Sequence, residues 1–87
     1  MTTAVDIPHQ VAVIVAAVAE RPVGELAMES RLVEDLGLDS LQVVEIAVRA
    51  EERFQAPVDD SLLAAPDITV AECARVVQEA IAQAVLT

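Results

Sequence analysis

Apolar residues return at helical intervals along three stretches of this chain. From about residue 8 to residue 20, Ile7, Val11, Ile14, Val15 and Val18 fall at 0, 4, 7, 8 and 11, on one face of a helix. Asp6 stands where an N-cap belongs, and Pro8 is tolerated in the first turn. From about residue 40 to residue 54, Val43, Ile46, Ala47, Ala50 and Phe54 draw a second face. From Thr69 onward, Val70, Cys73, Ala74, Val77, Ile81 and Val85 form a third stripe, and Thr69 with Glu72 has the spacing of a capping box. Glycines and prolines mark the joints between these stretches. Asp59 or Asp60 is placed to cap a short turn of helix that stops before Pro66. Residues 21–38 read as a long connection, pinned to the core by Leu26, Leu32, Val33, Leu36 and Leu38; a structureless connection of that length is unusual unless it is functional. No stretch alternates as a strand does. The pattern predicts an all-α domain over residues 1–87, with three major helices and one short helix before the last.

The middle helix has more apolar positions than one core face needs. Leu41, Val44 and Val48 fall at 0, 3 and 7 and point about 130° away from the first face. Either the helix is central and buried on both sides, or the second stripe is a docking surface. Glu45, Glu51 and Glu52 flank the stripe, which favours exposure, and a small aliphatic patch rimmed by carboxylates suits a partner with an apolar groove and basic rim. Arg49 and Arg53 lie on the more polar side, where Glu45 and Arg49 have ion-pair spacing.

Composition narrows the partners. Of 87 residues 55% are apolar, which argues against disorder, and the single aromatic residue makes the core aliphatic. Fifteen Asp and Glu against five Arg leave a net charge of −10. A nucleic-acid binder neutralises phosphates with Lys and Arg, and five scattered Arg form no basic stripe; an anionic membrane surface would repel the chain for the same reason. A protein with a basic docking face is the expected partner. The N-terminus lacks the pattern of a signal peptide, and one cysteine fits a reducing cytoplasm, so a cytoplasmic location is expected.

Candidate chemistry gathers at the start of the middle helix, Leu36-Gly37-Leu38-Asp39-Ser40-Leu41-Gln42. Gly37 allows a sharp turn, and Asp39 with Gln42 can form a capping box. Ser40 then lies in the first turn with its hydroxyl exposed, beside unsatisfied amides and the positive end of the helix dipole, a good seat for a phosphate group. Ser40 has no sequence-adjacent base: His9, the only histidine, lies at the start of the first helix, and no Gly-rich phosphate loop or Gly-x-Ser-x-Gly turn is present. Glu34, Asp35 and Asp39 do not match a calcium loop. No catalytic residue and no metal ligand is assigned. Cys73 lies on an apolar stripe and reads as a buried hydrophobe.

The run Leu32-Val33-Glu34-Asp35-Leu36-Gly37-Leu38-Asp39-Ser40-Leu41, followed by Val44-Glu45-Ile46, resembles the phosphopantetheine attachment region of acyl carrier proteins, and the similarity extends through Glu51-Glu52-Arg53-Phe54. The resemblance implies a four-helix bundle with a short third helix, acting as a carrier rather than an enzyme, and a discrete monomer is expected from the Asp6 and Thr69 caps and from the departures at Gln42, Arg49 and Arg53. It implies that Ser40, with Asp39 and Leu41 beside it, receives 4′-phosphopantetheine from coenzyme A through a phosphopantetheinyl transferase. It implies docking through Leu41, Val44, Glu45, Val48, Arg49 and Glu52 to enzymes such as an acyltransferase, a ketosynthase or an acyl or aminoacyl ligase. Gln42 stands where fatty-acid carriers often have an acidic residue, and Arg49 and Arg53 interrupt a helix that is more uniformly acidic there. Those departures favour polyketide or related secondary-metabolite assembly. An aminoacyl or peptidyl carrier of the nonribosomal type and an unmodified acidic adaptor are the rival expectations. An aliphatic core also suggests room for an acyl chain between helices.

Overall fold

The computed structural model describes residues 6–86, apart from the side chain of Leu86. Three α-helices form where the periodicity places them: α1 (Ile7–Ala19), α2 (Ser40–Phe54) and α3 (Val70–Leu86). Each begins on a side-chain cap. Asp6 accepts from the His9 amide at 3.1 Å, and Pro8 occupies the first turn of α1. Asp39 and Gln42 exchange bonds of 2.9 and 3.0 Å, and Thr69 and Glu72 exchange bonds of 3.1 and 3.0 Å. α1 and α2 both end on a left-handed residue, Glu20 (φ 58) and Gln55 (φ 56).

The short helix expected before α3 is a single 3₁₀ turn, η2 (Asp60–Leu63), capped by Asp59 through the Ser61 amide at 3.0 Å. The 21–38 connection is not structureless. It holds a first 3₁₀ turn, η1 (Val23–Glu25), and then a knot of turns in which the amides of Asp35 and Leu36 both donate to the Arg31 carbonyl. It is laced to the start of α3 by Leu32 N–H to Ile68 O, Val70 N–H to Ser30 O and Ala71 N–H to Met28 O. Arg31 and Thr69 form an isolated bridge, and no strand occurs among the described residues.

α1 is the central element. It packs against both α2 and α3, and η2 packs against both of the latter. Val11, Val15, Leu32, Ile46, Leu63, Val70, Cys73 and Val77 are fully buried together, an aliphatic core as the composition requires. Burying one such side chain contributes roughly 1.5–3 kcal/mol. No helix of the described residues is long and apolar enough to cross a membrane.

Some expected core positions lie outside the core. Val33 is 41% exposed because it sits on the outer side of the turn that buries Leu32 and Leu36. Val85 is 78% exposed, since α3 runs four residues longer than α1, about 6 Å at 1.5 Å per residue. Ile7, Leu26 and Phe54 are half-buried against the edge of the core.

Candidate functional site

Ser40 is the first residue of α2 and its side chain is exposed. Everything immediately before it is held. Arg31 clamps the turn: its amide donates to Asp35 Oδ2 at 2.8 Å, its guanidinium Nε to the same oxygen at 3.3 Å, and a second arm reaches Glu34 at 3.1 Å. These bonds, the backbone amide first and the guanidinium second, hold the Asp35 carboxyl below its usual range. Gly37 reverses the chain at φ +72, a conformation that costs an L-residue with a side chain. Leu38 then drops into the core, its amide bonded to Leu32 O at 3.0 Å. Asp39 follows as the cap, so Ser40 emerges at a fixed place.

At this helix mouth the Gln42 amide is taken by Asp39 Oδ1 and the Val43 amide by Asp39 O. The amides of Ser40 and Leu41 find no acceptor among the described residues, as the first turn of a helix leaves them. Two N–H donors and the positive end of a 15-residue helix therefore lie at the end of α2 that carries Ser40. Beside it opens a groove of about 350 Å³ between α2 and η2. Val33, Val43, Val44 and Leu63 give it apolar walls, and Asp60 and Ser61 a polar edge. The residues present fit a phosphodiester on Ser40 with a flexible chain leading from it. Asp60 and Ser61 were not visible as site residues in the sequence, because they arrive from 20 positions downstream on η2. Ser61 is fixed there by its hydroxyl, which donates to Asp59 Oδ1 at 2.6 Å.

The second apolar stripe of α2 is exposed rather than covered. Leu41 is 79% exposed, Val44 39% and Val48 45%, since α2 packs on α1 and η2 through its other face and no element of the described residues covers this one. Glu45 and Arg49 form the expected pair, with Arg49 Nη2 at 2.6 Å from Glu45 Oε2. Glu52 is exposed at the edge of the stripe. Glu51 does not flank the stripe as a free carboxylate; it accepts from the Val58 amide at 2.8 Å and fixes the loop after α2. Arg53 Nε donates to Gln10 Oε1 at 2.9 Å. Gln42 also leans its amide nitrogen towards Val18 O, at the 3.5 Å limit of such a bond. Gln10 beside Arg53 and Val18 beside Gln42 make α1 and α2 antiparallel. His9 therefore lies at the far end of α2 from Ser40, about 20 Å away at 1.5 Å per residue.

Cys73 is buried and its thiol is pushed up to about 12 by loss of solvent, so it carries no thiolate chemistry near neutral pH. No group of three or more His, Cys, Asp or Glu is placed to hold a metal ion among the described residues.

Residues 9–77 match the family profile described as "Phosphopantetheine attachment site". Curated relatives include the acyl carrier proteins of Campylobacter fetus subsp. fetus (strain 82-40) and Campylobacter jejuni subsp. jejuni (strain 81-176), each 53% identical over 34 residues, and that of Campylobacter curvus, 50% identical over 34 residues. The aligned stretch is 39% of this chain and 44% of each relative, so the chain matches less than half the length of those relatives.

Proposed function

This chain belongs to the acyl carrier protein family of phosphopantetheine attachment domains, and we propose that Ser40 is the residue that bears its arm. Family members are carriers and not catalysts, and 4′-phosphopantetheine is their prosthetic group. When bound, the arm supplies a terminal thiol on which cargo is held as a thioester. The observation that carries the assignment to Ser40 is its position: an exposed hydroxyl at the first residue of α2, beside two unpaired amides and at the rim of an apolar groove.

The chain's own residues then have separable tasks. Asp39 and Gln42 fix the helix mouth, and the amides of Ser40 and Leu41 face the phosphate position. Coenzyme A is the donor: the Ser40 oxygen bonds to the phosphorus that carries the pantetheine, the pyrophosphate P–O bond breaks, adenosine 3′,5′-bisphosphate leaves, and a phosphopantetheinyl transferase supplies the base that takes the hydroxyl proton. Leu41, Val44 and Val48 dock partners through apolar contact, with Glu45, Arg49 and Glu52 beside them. Tethering replaces diffusion of free intermediates with a high local concentration at each enzyme.

We read the pathway as polyketide or related secondary-metabolite assembly in the cytoplasm, with an acyltransferase, a ketosynthase or an acyl ligase among the partners. What supports this is the charge of α2: three Glu against two Arg, with Arg49 already pairing Glu45. A partner built for a strongly acidic recognition helix finds little of that charge here. Incubation with coenzyme A and a broad-specificity transferase tests the carrier role. The expected result is one added phosphopantetheinyl group by intact mass, absent in Ser40→Ala. An unchanged wild-type mass contradicts it. Loading the product with a panel of acyl and aminoacyl ligases then tests the cargo, and loading by aminoacyl ligases alone would replace the polyketide reading.

A further inference from the structure

η2 faces two ways. Leu63 is fully buried, while its neighbour Leu62 is 55% exposed. On that outer side a second groove of about 420 Å³ lies between η2 and α3. Pro57, Leu62, Val76 and Ala80 form its apolar wall, and Asp59 and Glu79 supply its charge. It shares no lining residue with the groove at Ser40. No arginine lines it, in contrast to the groove between α1 and α2, which carries Arg49 and Arg53. Hydrogen bonds from the Ser61 hydroxyl and amide, both to Oδ1, hold the Asp59 carboxyl below its usual range, so it stays ionised.

We propose that this groove docks a basic amphipathic helix of a partner protein. An aliphatic side chain of that helix covers Leu62, Val76 and Ala80, and Lys or Arg residues beside it meet Asp59 and Glu79. The occupant follows from charge complementarity: the charged residues that line the groove, Asp59 and Glu79, are both carboxylates, on a chain of net charge −10 that attracts cations at long range. Because the groove is separate from the Ser40 face, a partner seated there leaves Leu41, Val44 and Val48 open. On the carrier reading of Ser40, the chain can then be held by one protein while it presents cargo to another; the docking itself does not depend on that reading.

The test is a titration of the ¹⁵N-labelled full chain with a synthetic helical peptide of Leu, Ala and Arg, its Leu residues on one face and its Arg residues flanking them. The expected result is saturable shifts confined to residues 57–62 and 76–84. Leu62→Ser and, separately, Glu79→Arg should each weaken the peptide at least five-fold, and Leu41→Ser should leave it within two-fold. Leu62 and Glu79 are both exposed, so the core is untouched in either variant. Phosphopantetheine transfer to Ser40 should be unchanged in Leu62→Ser, which keeps this result distinct from the carrier assignment. Absence of saturable binding, shifts centred on Leu41 and Val44, or equal affinity in Leu62→Ser would each overturn the proposal. So would self-association by sedimentation that Leu62→Ser abolishes, since the occupant would then be a second copy of the chain.

Discussion

Asp39 does two jobs within one turn. Its carboxylate closes the capping box on Gln42, and its carbonyl starts the α2 ladder through the Val43 amide, so the mouth of the helix keeps its shape around Ser40. Asp39→Ala should cost about 1 kcal/mol in urea unfolding, the usual worth of such a cap. It should also slow arm attachment, because the first turn frays. Asp35 works one step earlier, anchoring the turn that aims Leu38 and Asp39. Its folded pKa lies below the ordinary 3.8, first through the Arg31 amide and then through the Arg31 side chain. A depressed carboxylate contributes stability that is fully present above 3.8 and is lost as pH falls through the lower folded value. Acid unfolding followed by circular dichroism should therefore show wild type more stable than Asp35→Asn above pH 3.8, with the two curves converging below it. Curves that stay parallel through that window would show that the Arg31 clamp does not carry the pH dependence.

At the scale of elements, α1 packs on both other long helices, and α2 keeps an exposed apolar stripe. Glu20 ends α1 in the left-handed region, and its carboxylate stands at the negative end of the helix dipole. Glu20→Gly relieves both and should raise stability by about 1 kcal/mol, read from the urea midpoint. Leu41 is 79% exposed, so Leu41→Ser should leave the melting temperature within a degree or two while raising the KM of a phosphopantetheinyl transferase several-fold. A large loss of stability instead would mean that Leu41 belongs to the core. Helix starts were legible in the sequence because each cap is a local device of three or four residues, and α2 begins and ends where its pattern does. The surplus stripe on α2 was legible as a surplus, and the carboxylates beside it favoured the exposure that the fold shows; which helix packs on both others was not legible, since that depends on contacts far apart in the chain. Glu51 was misplaced among the flanking carboxylates because its partner, the Val58 amide, sits on a loop whose path no periodicity describes. The Arg53–Gln10 bond and the Asp60–Ser61 edge of the groove were hidden for the same reason: they join residues 20 or more positions apart.

For the whole molecule, the charge lies where the helices are not. Residues 20–39 carry six carboxylates against two arginines, and residues 55–69 carry three carboxylates and no arginine, while α2 carries three against two. Both segments border the Ser40 groove, through Asp39 from one and Asp60 from the other. The sequence already showed a charge of −10; the fold shows that it frames the Ser40 end and leaves the Leu41–Val44–Val48 stripe close to neutral. On the proposed carrier role, encounter with a basic partner would be steered by the loops and held by apolar contact on α2. Raising ionic strength from 0.05 to 0.5 M, across which the Debye length shrinks from well above to well below about 10 Å, should raise transferase KM several-fold with kcat little changed. A salt-independent KM would remove steering from the account. The central claim is that Ser40, and no other hydroxyl of this end of the molecule, bears the arm. Ser61 lines the same groove and is its nearest competitor on chemical grounds. The most direct measurement is intact mass, followed by fragment-ion localisation, after incubation with coenzyme A and a broad-specificity transferase. Wild type and Ser61→Ala should each gain a single phosphopantetheinyl group located at Ser40, and Ser40→Ala should gain none. A gain retained in Ser40→Ala, or no gain in wild type, would contradict the account.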